Sequence, residues 1–196
     1  MAELLLELLT EEIPARMQTQ AAEDLRHLAS QKFKSVGLEF SDIRSFVTPR
    51  RLTLVVDGLP LSQPDVVEER RGPRVGAPAS AIAGFLKSAG LSSIEECEQG
   101  DTGKGAFYFA KIHRPGLPTG LVLLDALPDV IRQLPWPKSM RFPAATFRWV
   151  RPLISVICLF DDAVISLRLD GVPVGDETCG HRFLAPKKFK VKDFTD

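Results

Sequence analysis

A proline-fixed turn feeding an alternating strand constrains this chain more than any other stretch. In Thr48-Pro49-Arg50-Arg51-Leu52-Thr53-Leu54-Val55-Val56, Pro49 fixes its own φ and pushes Thr48 towards an extended backbone. Leu52, Leu54 and Val56 then share one face, and Arg51, Thr53 and Val55 the other. Ile43 to Val47 reads as a strand entering the same turn, which makes a hairpin. Arg50 and Arg51 stand at its mouth, where two charged forks suit phosphates or carboxylates; a turn with two solvated arginines fits the pattern equally.

The preceding residues supply the rest of a layered unit. Glu3 to Thr10 is an apolar strand interrupted by Glu7. Thr10-Glu11-Glu12-Ile13-Pro14 reads as a helix start, with a capping Thr and acids for the first turn. Met17, Ala21, Leu25, Leu28, Ala29, Phe33 and Val36 recur at three and four, and Gly37 stops the helix. Strand, helix, strand, strand is the order of an α+β fold: a mixed or antiparallel sheet with helices packed on it.

Further on, Val66 to Arg70 is a strand candidate, and Arg71-Gly72-Pro73-Arg74-Val75-Gly76-Ala77-Pro78 reads as an exposed loop, which Gly72→Val should damage if Gly72 has a positive φ. Ala79 to Ala89 is a short helix, followed by a helical turn from Ser92 or Ser93. The run Gly100-Asp101-Thr102-Gly103-Lys104-Gly105 is a turn, not a phosphate loop: Glu98 stands where the first glycine belongs and Gly105 where Ser or Thr belongs. A strand, Ala106 to His113, and a helix, Thr119 to Leu134 with Pro128 inside it, come next. In Leu134-Pro135-Trp136-Pro137-Lys138-Ser139-Met140-Arg141-Phe142-Pro143, the rings of Trp136 and Phe142 either face a ligand or plug the core. Leu153 to Phe160 pairs through Asp161-Asp162 with Ala163 to Leu169, and Lys187 to Lys192 is a basic, extended tail. The expected organisation is one domain over 1–186, with sub-parts 1–75 and 76–186, and residues 187–196 opening a following segment of a longer chain.

Composition narrows the chemistry. Twenty-five Lys+Arg against 25 Asp+Glu give no net charge, so anion binding must come from a local patch. No apolar run approaches the ~20 residues of a membrane span, and the acidic N-terminus does not resemble a signal peptide. Cys97, Cys158 and Cys179 are dispersed and odd in number, which fits free thiols in a reducing cytoplasm. His27, His113 and His181 form no metal or nucleophile motif, so no catalytic residue and no metal ligand is expected. What remains are cations beside proline, glycine or aromatics: Arg50, Arg51, Arg71, Arg74, Lys138, Arg141, Arg151 and Arg182, with His181. These are the candidates for binding RNA or another anion.

Six of these segments, in this order, resemble a known family. Leu9-Thr10-Glu11-Glu12-Ile13-Pro14, Thr48-Pro49-Arg50-Arg51-Leu52, Arg70-Arg71-Gly72-Pro73, Leu134 to Phe142, Val150-Arg151-Pro152 and Gly180-His181-Arg182-Phe183 are similar to the N-terminal part of the β subunit of bacterial two-subunit glycyl-tRNA synthetases. Ile154 departs from the histidine usual in that family, and Phe142 from a tryptophan. The resemblance implies an ATP- and Mg²⁺-dependent ligase that joins glycine to tRNA-Gly. Its aminoacylation centre lies on a separate alpha subunit, in a heterotetramer of two alpha and two beta subunits. This part would be a non-catalytic module for tRNA or subunit contacts, and its fold would resemble the editing-type domain of the phenylalanyl-tRNA synthetase β subunit. Membrane and DNA are not expected partners. A purely structural platform, and a hydrolytic pocket around His181, Arg182, Thr10 or Glu11, are the alternatives.

Overall fold

The computed structural model describes residues 2–101, 105–142 and 147–196. The chain divides into two compact units, Met1–Gln63 with Leu117–Asp196, and Pro64–Gly116. The second is thus inserted into the first, and the expected boundary at 75/76 falls inside it.

In the first unit, β1 (Ala2–Thr10) is the centre of the sheet. It pairs antiparallel with β3 (Arg51–Leu59) on one side and β7 (Leu153–Phe160) on the other. β2 (Asp42–Thr48) flanks β3 through the two-residue turn Pro49-Arg50, with Thr48 opposite Arg51. The register puts Leu6 between Leu54 and Cys158, and Leu8 between Leu52 and Val156. That face is fully buried beneath α1 (Ala15–Ser35) and α3 (Thr119–Gln133), whose inward residues include Leu25, Phe33, Leu127 and Ile131. Each such leucine, withdrawn from water, stabilises the fold by about 1.5–3 kcal/mol.

The opposite face is covered as well, which explains why β1 reads as almost continuously apolar. Leu5, Val55, Ile157 and Leu159 form a second buried cluster with Val191 packed on it. A ribbon of β10 (Glu177–Cys179) and β11 (Lys188–Lys190) belongs to this region, where the Thr178 hydroxyl donates to the Glu7 carboxylate. The basic tail therefore folds back as a paired strand. Beyond it, Phe194 stacks on Phe46 of the edge strand β2, 5.1 Å between centroids.

Several local expectations give way to tertiary structure. α1 starts at Ala15 after Pro14, with no capping side chain and no acid in its first turn. Thr10 is instead the last residue of β1, and its hydroxyl donates to the Pro152 and Arg151 carbonyls at 3.1 and 3.3 Å. Pro128 does not shorten α3, which runs on to Gln133. The partner of β7 after the Asp161-Asp162 turn is only β8 (Ala163–Val164); Leu167 and Leu169 continue inward without pairing. A short β9 (Val174–Gly175) pairs parallel with β7. Trp136 and Phe142 take the packing role: Trp136 lies 5.0 Å from the buried Trp149, and Phe142 6.1 Å from Phe147. Pro143 lies outside the described residues.

The second unit is a three-stranded antiparallel sheet, ordered β4 (Val66–Arg74), β6 (Ala106–Arg114), β5 (Glu98–Asp101). α2 (Ala79–Ala89) packs Phe85 and Ala89 against Ala110. The expected 71–78 loop is in fact strand as far as Arg74, with a register break between Arg71 and Arg74 that accommodates Gly72-Pro73. Gly72 is not in the positive-φ region. It is glycine because a Cβ there would come within 2.6 Å of the Phe85 ring. Of the glycine run at 100–105, residues 102–104 lie outside the described residues.

Candidate functional site

Four of the sequence motifs meet at one end of the first unit's sheet. Where β1 ends, the Thr10 N–H donates to the Arg50 carbonyl at 2.9 Å and the Glu11 N–H to the Pro152 carbonyl at 3.0 Å. The Ile13 N–H donates to the Pro49 carbonyl at 2.6 Å, and Ile13 itself is buried. The segments 10–13, 49–50 and 151–152 are thereby stitched together through backbone groups that would otherwise be unpaired at a strand end.

The arginines here divide by environment. Arg50 is mostly buried; its Nε donates to the Thr10 carbonyl at 3.3 Å, and a terminal nitrogen lies 3.5 Å from Glu11. Arg51 reaches Glu7, 3.4 Å away, and donates to the Cys179 carbonyl. Both forks aimed by the turn are therefore engaged inside the protein. Glu7, which interrupts an apolar strand, joins β1, β3 and β10 through Arg51 and Thr178. The only sequence sign of this role is its place between Leu5 and Leu9 at period two.

Arg151 is exposed; its carbonyl, not its guanidinium, binds the loop. Arg182 is also exposed, 3.3 Å from Glu12 and with its guanidinium 4.8 Å from the Phe183 ring centroid. These two arginines, with Glu11, Glu12, Pro14, Gln18 and Pro49, line an open hollow of about 690 Å³. His181 is exposed, and its Nδ1 accepts the N–H groups of Phe183 and Leu184 at 3.3 and 3.2 Å. Its ring therefore shapes a turn that presents Phe183 and Leu184 to solvent. Thr10, by contrast, is fully buried with its hydroxyl committed to carbonyls, so it does not serve the hydrolytic arrangement.

The remaining candidates lie elsewhere. Lys138 and Arg141 are exposed on the loop after α3. That loop is braced by Arg148, missed in the sequence, which donates to the Ser139 carbonyl at 2.8 Å and to its hydroxyl at 3.0 Å. Arg71 and Arg74 belong to the second unit, with guanidinium carbons 3.7 and 5.5 Å from the Phe107 ring centroid. Among the described residues, no group of three or more His, Cys, Asp or Glu side chains is placed to hold a metal ion.

Titration is perturbed away from these arginines. The hydrogen bond from Lys190 holds the Asp176 carboxyl below its ordinary value, and the same bond raises Lys190. Burial pushes the Cys158 thiol up to about 12. Burial, with Glu96 second, raises Cys97.

A family model described as "Glycyl-tRNA synthetase beta subunit" matches residues 4–196. The chain belongs to the glycyl-tRNA synthetase beta subunit family. The glycine–tRNA ligase beta subunit of Ruegeria sp. (strain TM1040) is 50% identical over 200 residues, covering all of this chain and 29% of the relative. Those of Rhodospirillum centenum and Cereibacter sphaeroides are 47% and 46% identical, again over the whole chain and over 31% and 29% of their own length. The chain thus spans under a third of these relatives and corresponds to their N-terminal part. Of the motifs that resemble the glycyl-tRNA synthetase beta subunit, those at 9–14, 48–52, 150–152 and 180–183 build the sheet end. The motif at 70–73 lies on β4, and that at 134–142 on the loop after α3.

Proposed function

We propose that the chain works as a non-catalytic module of a glycine–tRNA ligase, supporting contacts with tRNA-Gly or with the alpha subunit. The observation that carries this reading is the convergence of four distant motifs at one sheet end. There Glu7 and Glu11 hold Arg51 and Arg50 inward while Arg151 and Arg182 stay exposed around an open hollow. Such a surface is a rigid platform with a few outward cations, suited to phosphate or carboxylate groups of a large partner. The whole enzyme would use ATP and Mg²⁺ at a centre on the alpha subunit, in the cytoplasm. No helix among the described residues is long and apolar enough to cross a membrane.

The test is tRNA-Gly binding by the 196-residue chain at about 50 and 200 mM salt. Replacing both Arg151 and Arg182 by alanine is expected to weaken binding and to lower the salt slope by about 2. An unchanged slope would mean that this platform meets a protein surface and not RNA.

A further inference from the structure

The second unit carries a sheet face whose aromatic character the sequence motifs do not announce. In β6, Tyr108, Ala110 and Ile112 belong to the cluster under α2. Alternation sends Phe107, Phe109 and Lys111 to the other side. The pairing sets Arg71 opposite Phe109 and Arg74 opposite Phe107. The Arg71 guanidinium lies over the Phe107 ring, 3.7 Å from its centroid. Gly100 stands opposite Phe107, and a Cβ there would come within 2.8 Å of the Phe109 ring, so that ring lies over the bare β5 backbone. α2, on the opposite side, does not cover this face. Arg71 is exposed, and both phenylalanines are partly exposed.

We infer that this face is a stacking surface for a few unpaired RNA bases. The inference rests on reading the chain as part of a tRNA ligase. It names a site separate from the sheet-end platform. Every base offers a π face to a partly exposed phenylalanine or to the guanidinium stacked on it, and a sheet that presents rings beside cations is a recurring way of holding single-stranded RNA. A guanidinium stacked on a ring keeps its N–H edge for a phosphate oxygen. Lys111 is taken up by Glu98 at 2.6 Å, so the cationic part of the face is its Phe107 end, where both arginines gather. That combination of ring and guanidinium at the Phe107 end suits a nucleotide, which offers both a π face and a phosphate.

The experiment measures binding of a fluorescent unpaired oligoribonucleotide of about eight nucleotides by the 196-residue chain, with an RNA duplex of equal length as control. The single strand is expected to bind more tightly than the duplex. Phe107→Leu should weaken it about tenfold, and Phe107→Tyr should keep it. Arg71→Gln should lower the salt slope by about 1 and tests the same face should Phe107→Leu unfold the unit. Equal binding of duplex and single strand, no binding of the single strand, or unchanged affinity in both Phe107→Leu and Arg71→Gln would overturn the inference. Binding of tRNA without the oligonucleotide would sink this site alone. Binding of the oligonucleotide together with tRNA-Gly binding that does not respond to the Arg151/Arg182 double substitution would sink the RNA-platform reading alone.

Discussion

Neighbouring residues of one type take different roles here because their surroundings differ. Arg50 and Arg51 are adjacent, yet the strand alternation sends Arg51 to the second sheet face, where Glu7 and the Cys179 carbonyl receive it. Arg50 stays at the turn against Thr10 and Glu11. Their proximity to a strand mouth was legible in the sequence. Their partners were not, because Glu7 and Cys179 lie far along the chain and only the register brings them together. The cysteines divide in the same way. Cys158 is fully buried with a thiol raised to about 12, so at pH 8 an alkylating reagent should leave it unmodified while the chain is folded. Peptide mass mapping after iodoacetamide, with and without denaturant, checks this; labelling of Cys158 in the folded chain would contradict its burial.

At the scale of elements, periodic segments were easy to read and ends were not. The inward stripe of α1 and the alternation of β3 follow from spacing alone. The start of α1 misleads because Thr10 and the following acids imitate a cap, whereas the strand pairing of β1 and β7 claims Thr10 first. β4 absorbs Gly72-Pro73 by a register break, which no local rule requires. The turn after β7 places Asp161 and Asp162 at φ 50° and 62°, left-handed conformations that two-residue hairpins demand and that glycine adopts at no steric cost. Asp162→Gly is therefore expected to raise the melting temperature by about 1–3 °C. A fall in melting temperature would show that the aspartate side chain supports the turn. The Asp176–Lys190 pair ties the start of β10 to β11. Since Asp176 is lowered in the fold, its small contribution is present above the ordinary carboxylate pKa and is lost as pH falls through the lowered value.

At the scale of the molecule, the insertion of residues 64–116 into the first unit is not legible in the sequence: Pro115-Gly116-Leu117-Pro118 reads as a linker at one junction, but only tertiary contacts show that the chain returns there to the first unit. Of the arginines at the sheet end, Arg51 is held by Glu7 and the Cys179 carbonyl, whereas Arg151 is exposed and is proposed to contact RNA. The most direct test compares thermal unfolding and tRNA-Gly binding for Arg51→Ala and Arg151→Ala. Removing Arg51 leaves the mostly buried Glu7 beside Thr178 without its cation, at a cost of about 1–3 kcal/mol, which should lower the melting temperature by about 2–12 °C. Arg151→Ala should leave the melting temperature unchanged and weaken tRNA binding. A stable Arg51→Ala with lost binding, or a destabilised Arg151→Ala, would contradict this division of roles.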